Sequence, residues 1–278
     1  MTIYGSNRYL EIVPVKDLYK LIISWELPSY KTCVSYKPLS FVGHLLGHEG
    51  VNTLCAYLKN KLLITDLMAG EDISIDNKSI FNLTIHLTKK GFLNKDQVYN
   101  AVYYYINLLQ NTPEKELEQL YNENRYVLEK KFDYLEIDDP TSYSTGLSAL
   151  MATTCVPIEE ILMTGYIYAP YSDTIQDSLY GIFNNLTPLN STVMMVSPEY
   201  KNSNNLVEKW YGVEYNIKNN FVFNKDESNF DNHINRPRIN PFICTDMTIN
   251  QMIINNKQVL RMDKPLEYNS PIKIWWRY

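Results

Sequence analysis

Three of the ten glycines in this 278-residue chain fall within eight positions, Gly43-His44-Leu45-Leu46-Gly47-His48-Glu49-Gly50. Apolar residues from Phe41 to about Leu62, with Ser40 as N-cap, predict a helix around this block. Glycine disfavours a helix interior by about 1 kcal/mol relative to alanine. Gly43, Gly47 and Gly50 therefore weaken the first half of that helix and mark a place where another element or a ligand comes close to its backbone.

The flanking sequence alternates between strand and helix signals. Tyr9–Val15, Lys20–Leu27, Leu63–Ala69, Ser79–Leu87 and Thr192–Val196 read as strands, with Gly70–Asn77 as the hairpin connection between the third and fourth. Helical spacing covers Asn94–Leu109, and Thr112-Pro113-Glu114 opens a further helix that runs to Phe132. Helical patterns also cover Thr141–Thr153, Ile158–Tyr168 and Tyr171–Asn184. The segment Asn202–Asn256 holds 14 of the 29 asparagines and reads as an irregular surface excursion. The last eight residues, Pro271 to Tyr278, read as a strand that leads into further polypeptide. The expected class is α+β, a mixed sheet flanked by helices, with one domain over 1–262 and a linker and first strand over 263–278.

Composition narrows the function. Net charge is −5, no long basic run occurs, and so a nucleic-acid partner held by phosphate neutralisation is not expected. No apolar stretch reaches the ~18 residues of a membrane span, and no signal peptide is visible at Met1–Leu10; no membrane partner is expected. Cys33, Cys55, Cys155 and Cys244 form no C-x-x-C pair, which fits reduced thiols and a cytoplasmic location. The N-x-S/T triplets at Asn77, Asn82, Asn185 and Asn190 are read as unglycosylated.

Chemistry concentrates at residues 43–50. His44 and His48 have metal-ligand spacing on a helix, yet two zinc-peptidase patterns fail. H-x-x-E-H from His44 needs Glu where Gly47 stands, and H-E-x-x-H from His48 needs His where Asn52 stands. A zinc hydrolase built on His44, His48 and Glu49 lacks both the base and a complete ligand set. No catalytic and no metal-binding residue is expected in this chain.

Tyr36-Lys37 and the 43–50 block, followed by Leu54, Leu58-Lys59-Asn60-Lys61 and Leu67-Met68-Ala69-Gly70, carry a more specific message. With Leu87-Thr88, Pro157-Ile158-Glu159-Glu160-Ile161-Leu162 and Glu208-Lys209-Trp210-Tyr211-Gly212-Val213-Glu214-Tyr215, they resemble the second, non-catalytic domain of the insulinase (pitrilysin-type, inverzincin) zinc metallopeptidases. Ile12–Asp17 fits the strand that opens that domain, and Pro265–Trp276 resembles the linker towards a third domain. The resemblance implies a repeated α+β fold that forms chamber wall, with the zinc in a catalytic domain absent from this chain. It also implies an exosite that anchors the N-termini of peptide substrates, falling on His44, Gly47, Glu49, Leu67, Ala69 and Glu71. The family pattern has Gly where Ala69 stands and Gln where Glu71 stands. A peptide ammonium needs acceptors and a carboxylate, which Glu49 supplies, and an edge strand at Leu67–Ala69 can take a peptide by strand addition.

The expected partners are thus peptide substrates and neighbouring domains of the same parent polypeptide. The alternative is an inert subunit that pairs with a separate catalytic chain.

Overall fold

Along residues 19–28, Leu21, Ile23, Trp25 and Leu27 recur at every second position, and all four are buried. Period-2 alternation of this kind puts one strand face in a core and the other outside it. The computed structural model describes residues 7–244 except 76, 137–138, 154–155, 167, 204–205, 220–221 and 225–229. The chain divides into a unit ending at Asn240 and a second from Pro241 onwards; of the latter only Pro241–Cys244 are described, as a turn and the residues after it. Cys155 and the expected C-terminal strand and linker lie outside the described residues.

In chain order the elements are β1 (Arg8–Ile12), β2 (Tyr19–Pro28), α1 (Pro38–Leu46), α2 (Leu54–Asn60), β3 (Ile64–Ile75) and β4 (Lys78–Leu87). There follow α3 (Lys89–Leu93), α4 (Lys95–Gln110), α5 (Glu114–Asp133), α6 (Pro140–Thr153), α7 (Asp173–Asn185), β5 (Ser191–Val196), β6 (Leu206–Val207) and β7 (Glu214–Asn219). The strands form one seven-stranded sheet in the order β3-β4-β2-β5-β1-β7-β6. Among the described residues only the β1–β5 pair is parallel. The expected α+β mixed sheet is thereby observed.

One face of the sheet carries the core. Trp25, Phe81, Leu83 and Met195 join Phe41 of α1, Tyr105 of α4, Tyr121 of α5 and Phe183 of α7 in a single buried cluster. The Trp25 indole N–H donates to the Thr187 carbonyl at 3.0 Å, which satisfies its one polar atom inside the core. Tyr105, fully buried, donates its hydroxyl to the Leu45 carbonyl at 3.1 Å. This bond ties α4 to the last turn of α1. Leu10, Ile22 and Met194 lie at the alternate positions, on the opposite face, and are outside the core cluster.

Several boundaries differ from the sequence reading. The expected Phe41–Leu62 helix is two helices, because residues 47–53 form a turn with its own hydrogen bonds. The Gly47 N–H bonds to the Gly43 carbonyl, and the Thr53 hydroxyl donates to the carbonyls of His48 at 2.6 Å and Gly50 at 2.8 Å. Asn52 sits at φ 62, a left-handed value that asparagine tolerates better than most residues. These local bonds outcompete a helix already weakened by glycine. Lys37 rather than Ser40 is the N-cap, since Pro38 occupies the first turn. The β3–β4 hairpin is longer than expected: pairing continues to Ile75 and Lys78 across a register shift between Glu71 and Ile73. The Ile158–Tyr168 helix is instead a 3₁₀ turn at Ile158–Glu160 followed by turns to Tyr166. Ile158 and Leu162 stay exposed while Ile161 and Tyr168 are buried, so only part of the apolar set is packed to support a helix. The asparagine-rich segment contributes β6 and β7 to the sheet and sends Phe223, Phe230 and Ile234 into the core.

Candidate functional site

Gly43 and His44 of α1 and its C-cap Gly47 follow Ser40 by three, four and seven positions, hence lie on one helical face. That face, the turn at His48-Glu49-Gly50, and Met68 and Ala69 of β3 line a groove of ≈ 620 Å³. β3 is an edge strand of the sheet, so its outer side offers backbone donors and acceptors for strand addition. The approach of α1 to β3 depends on Gly43. A Cβ there would stand 2.7 Å from the Ala69 carbonyl oxygen, and one on Gly47 would stand 4.0 Å from the Ala69 nitrogen. The helix therefore touches β3 at Gly43 and diverges from it towards Gly47, and the groove opens along that divergence.

Three ionisable side chains set the electrostatics. His44 stacks on Phe41 at 6.4 Å between ring centroids and meets the His48 ring edge-on at 5.6 Å. Crowding by the protein, then the His48 ring, pushes its pKa down to about 4. The side chain nonetheless keeps solvent access, so hydration damps the shift. His48 is likewise lowered, by burial, against the opposing pull of Glu123 and Glu49; its Nδ1 accepts the Gly50 N–H at 2.9 Å, leaving Nε2 as its second polar position. Both imidazoles are neutral at physiological pH. Glu49 is exposed, and its carboxylate is held below the usual range by a 2.5 Å hydrogen bond and ion pair with Lys59. The Cys55 thiol donates to the same carboxylate oxygen at 3.9 Å.

The structure brings His44, Gly47, Glu49 and Ala69 to the groove lining together. Leu67 is placed differently: its side chain is buried in the core, and it can serve the groove only through the β3 backbone. Glu71 is exposed further along β3, opposite Phe81 of β4, and is not among the lining residues. Sequence reasoning did not single out Ser40 and Met68 as lining residues or Lys59 as the partner of Glu49, whereas the glycines had marked the close approach that Gly43 makes to β3. Nothing local announces the Glu49–Lys59 pair, which needs the turn at 47–53 to fold α2 back beside it.

A catalytic zinc does not fit these donors. His48 uses Nδ1 within its own turn, Glu49 is committed to Lys59, and no group of three or more His, Cys, Asp or Glu among the described residues is placed to hold a metal ion. The site offers a carboxylate, two neutral imidazoles and, among the described residues, a strand edge.

Comparison with known proteins gives this arrangement a class. Residues 5–124 match the peptidase M16 inactive domain, and residues 132–278 match the middle or third domain of peptidase M16. The chain belongs to the peptidase M16 family. It is 28% identical to nardilysin of Homo sapiens over 260 residues, covering 87% of this chain and 21% of that protein. It is 26% identical to insulin-degrading enzyme of Drosophila melanogaster over 217 residues, 77% of this chain and 21% of that one. The fold matches the crystal structure of pitrilysin with a TM-score of 0.74 at 23% identity, over 87% of this chain and 25% of pitrilysin. The chain thus spans about a quarter or less of the length of the relatives it matches.

Proposed function

We propose that this chain is a non-catalytic domain of an insulinase-type zinc metalloendopeptidase, forming chamber wall and anchoring the N-terminus of a peptide substrate in the α1–β3 groove. The observation that carries this reading is the coincidence of an edge strand, a glycine-lined helix face and a carboxylate at one groove. An extended peptide added to β3 near Ala69 has its main chain satisfied by the strand edge. Its terminal ammonium then reaches Glu49, where a charge-assisted hydrogen bond favours the free amine. The neutral imidazoles of His44 and His48 add hydrogen-bonding groups without a repelling charge. A catalytic zinc, which the family implies, belongs on this reading to another domain of the parent polypeptide.

The test compares a short peptide bearing a free N-terminus with its acetylated twin, by chemical-shift titration at matched salt. Acetylation removes the charge that Glu49 meets. The free peptide binds more tightly, with weak affinity near millimolar, or about 4 kcal/mol, and Glu49→Gln narrows the difference. Equal binding of the two peptides, or shifts far from residues 44–71, refutes the anchoring role.

A further inference from the structure

We propose that the cavity between α5 and residues 235–239 is a second binding site, one that takes the C-terminal carboxylate of a peptide whose last residue is apolar. The cavity, of ≈ 500 Å³, lies wholly within the unit that ends at Asn240. Glu116, Gln119 and Leu120 form one wall, on a single face of α5. The segment that lines the other side is pinned at both ends. The Asn235 N–H donates to the Asn52 carbonyl at 2.6 Å, and the Asn240 N–H donates to the Glu123 carboxylate at 3.1 Å. Between these pins no regular secondary structure forms, and the N–H groups of Arg238 and Ile239 have no hydrogen-bond partner among the described residues.

The charges of the cavity do not cancel. Arg236 is half-buried and committed: its Nε donates to Glu116 at 2.9 Å and its Nη1 to the Leu108 carbonyl at 3.5 Å. Glu116 is the one acid among the lining residues, so Arg238 is left without a counter-charge there. Among the described residues Arg238 makes no ion pair or hydrogen bond, and neither do the side-chain amides of Gln119 and Asn235. One guanidinium, two amides and two backbone N–H groups thus offer donors at one cavity, in a chain of net charge −5. A guanidinium fork matches the two oxygens of a carboxylate, and spare backbone N–H groups are a recurrent means of holding a terminal carboxylate. The rest of the lining is apolar: Leu120 is 5% exposed, and Leu108 packs against the core cluster. An inorganic anion gains nothing from that surface, whereas an apolar side chain buries area on it. The last residue of a peptide carries both groups on one carbon.

The test titrates the full chain with acetyl-Gly-Gly-Leu as the free acid and as the C-terminal amide, and with acetyl-Gly-Gly-Gly acid, hexanoate and inorganic phosphate, all at matched ionic strength. The readout is the backbone amide shifts of residues 238 and 239. The leucine acid gives saturable shifts at both, at least about tenfold tighter than its amide. It also binds several-fold tighter than the glycine acid and hexanoate, and phosphate gives no saturable shift. Arg238→Gln, at an exposed position, weakens the leucine acid at least about tenfold with the thermal midpoint unchanged. The peptide probes are acetylated, so none presents an ammonium to Glu49, and the outcome does not depend on the role of the α1–β3 groove. Equal binding of the acid and the amide, or no effect of Arg238→Gln, overturns the proposal. Phosphate that displaces the leucine acid, or hexanoate or the glycine acid binding as tightly, assigns the cavity to anions in general and also overturns it.

Discussion

Glu49 and Lys59 decide what the groove can hold. The pair is exposed, so its own contribution to stability is small, but it occupies the carboxylate that an incoming ammonium needs. Lys59→Met removes the competitor, and the preference for a free over an acetylated peptide N-terminus should rise several-fold in the same titration, with little change in thermal midpoint. A fall in that preference would show that Lys59 helps to hold the peptide. His44 and His48 add a pH dependence. Their folded pKa values lie below the usual 6.5, with about 4 as the lower bound for the solvent-accessible His44. Between pH 6.5 and about 4 the unfolded chain therefore binds more protons than the folded one, and stability falls as pH falls through that window. Urea midpoints at pH 7 and pH 4.5 should differ in that direction, and His44→Asn should flatten the slope. Of the residues that the resemblance singled out, His44, Gly47, Glu49 and Ala69 meet at one groove lining; the anchoring role given to them belongs to the proposal. Lys59 was not legible as the partner of Glu49, because the pair depends on a turn that closes through Thr53 and Asn52 rather than on helical spacing.

At the scale of elements, the α1–β3 contact is the hinge of the account. Gly43→Ala puts a Cβ against the Ala69 carbonyl, a backbone atom that cannot rotate away. Overpacking of this kind costs typically about 1–3 kcal/mol, more than the helix propensity that alanine gains. Chemical denaturation should show a net loss of stability together with weaker peptide binding. Gly70→Ala, whose Cβ meets nothing within 4 Å, serves as the control and should be close to neutral. A neutral Gly43→Ala would mean that α1 does not rest on β3. Strands were the most legible elements, because period-2 burial in β2 and β4 appears directly as Leu21, Ile23, Trp25 and Phe81, Leu83, Ile85. The helix around residues 43–50 was only half legible: its glycines signalled weakness, but the turn hydrogen bonds that split it are made by side chains of ordinary helix content. Phe223 and Phe230 were missed because single aromatics in an asparagine-rich stretch carry no period, and tertiary packing against Tyr9, Tyr99 and Tyr104 fixes them.

At the scale of the whole molecule, the sheet order explains why the groove lies where it does. β3 is the last strand on one side and β6 the last on the other, so the peptide groove and the β6–β7 end of the sheet are separated by its full width. Family membership in peptidase M16 accounts for the fold, and the proposed binding role at the edge beside α1 needs no metal. The central claim is that a peptide joins β3 as an added strand, and amide hydrogen exchange tests it most directly. With a free-amine peptide at saturating concentration, amides on the outer edge of β3 around Ala69 should exchange more slowly by at least about tenfold, while those of β6 and β7 stay unchanged. Unaltered exchange at β3, or protection confined to the opposite end of the sheet, would contradict the account.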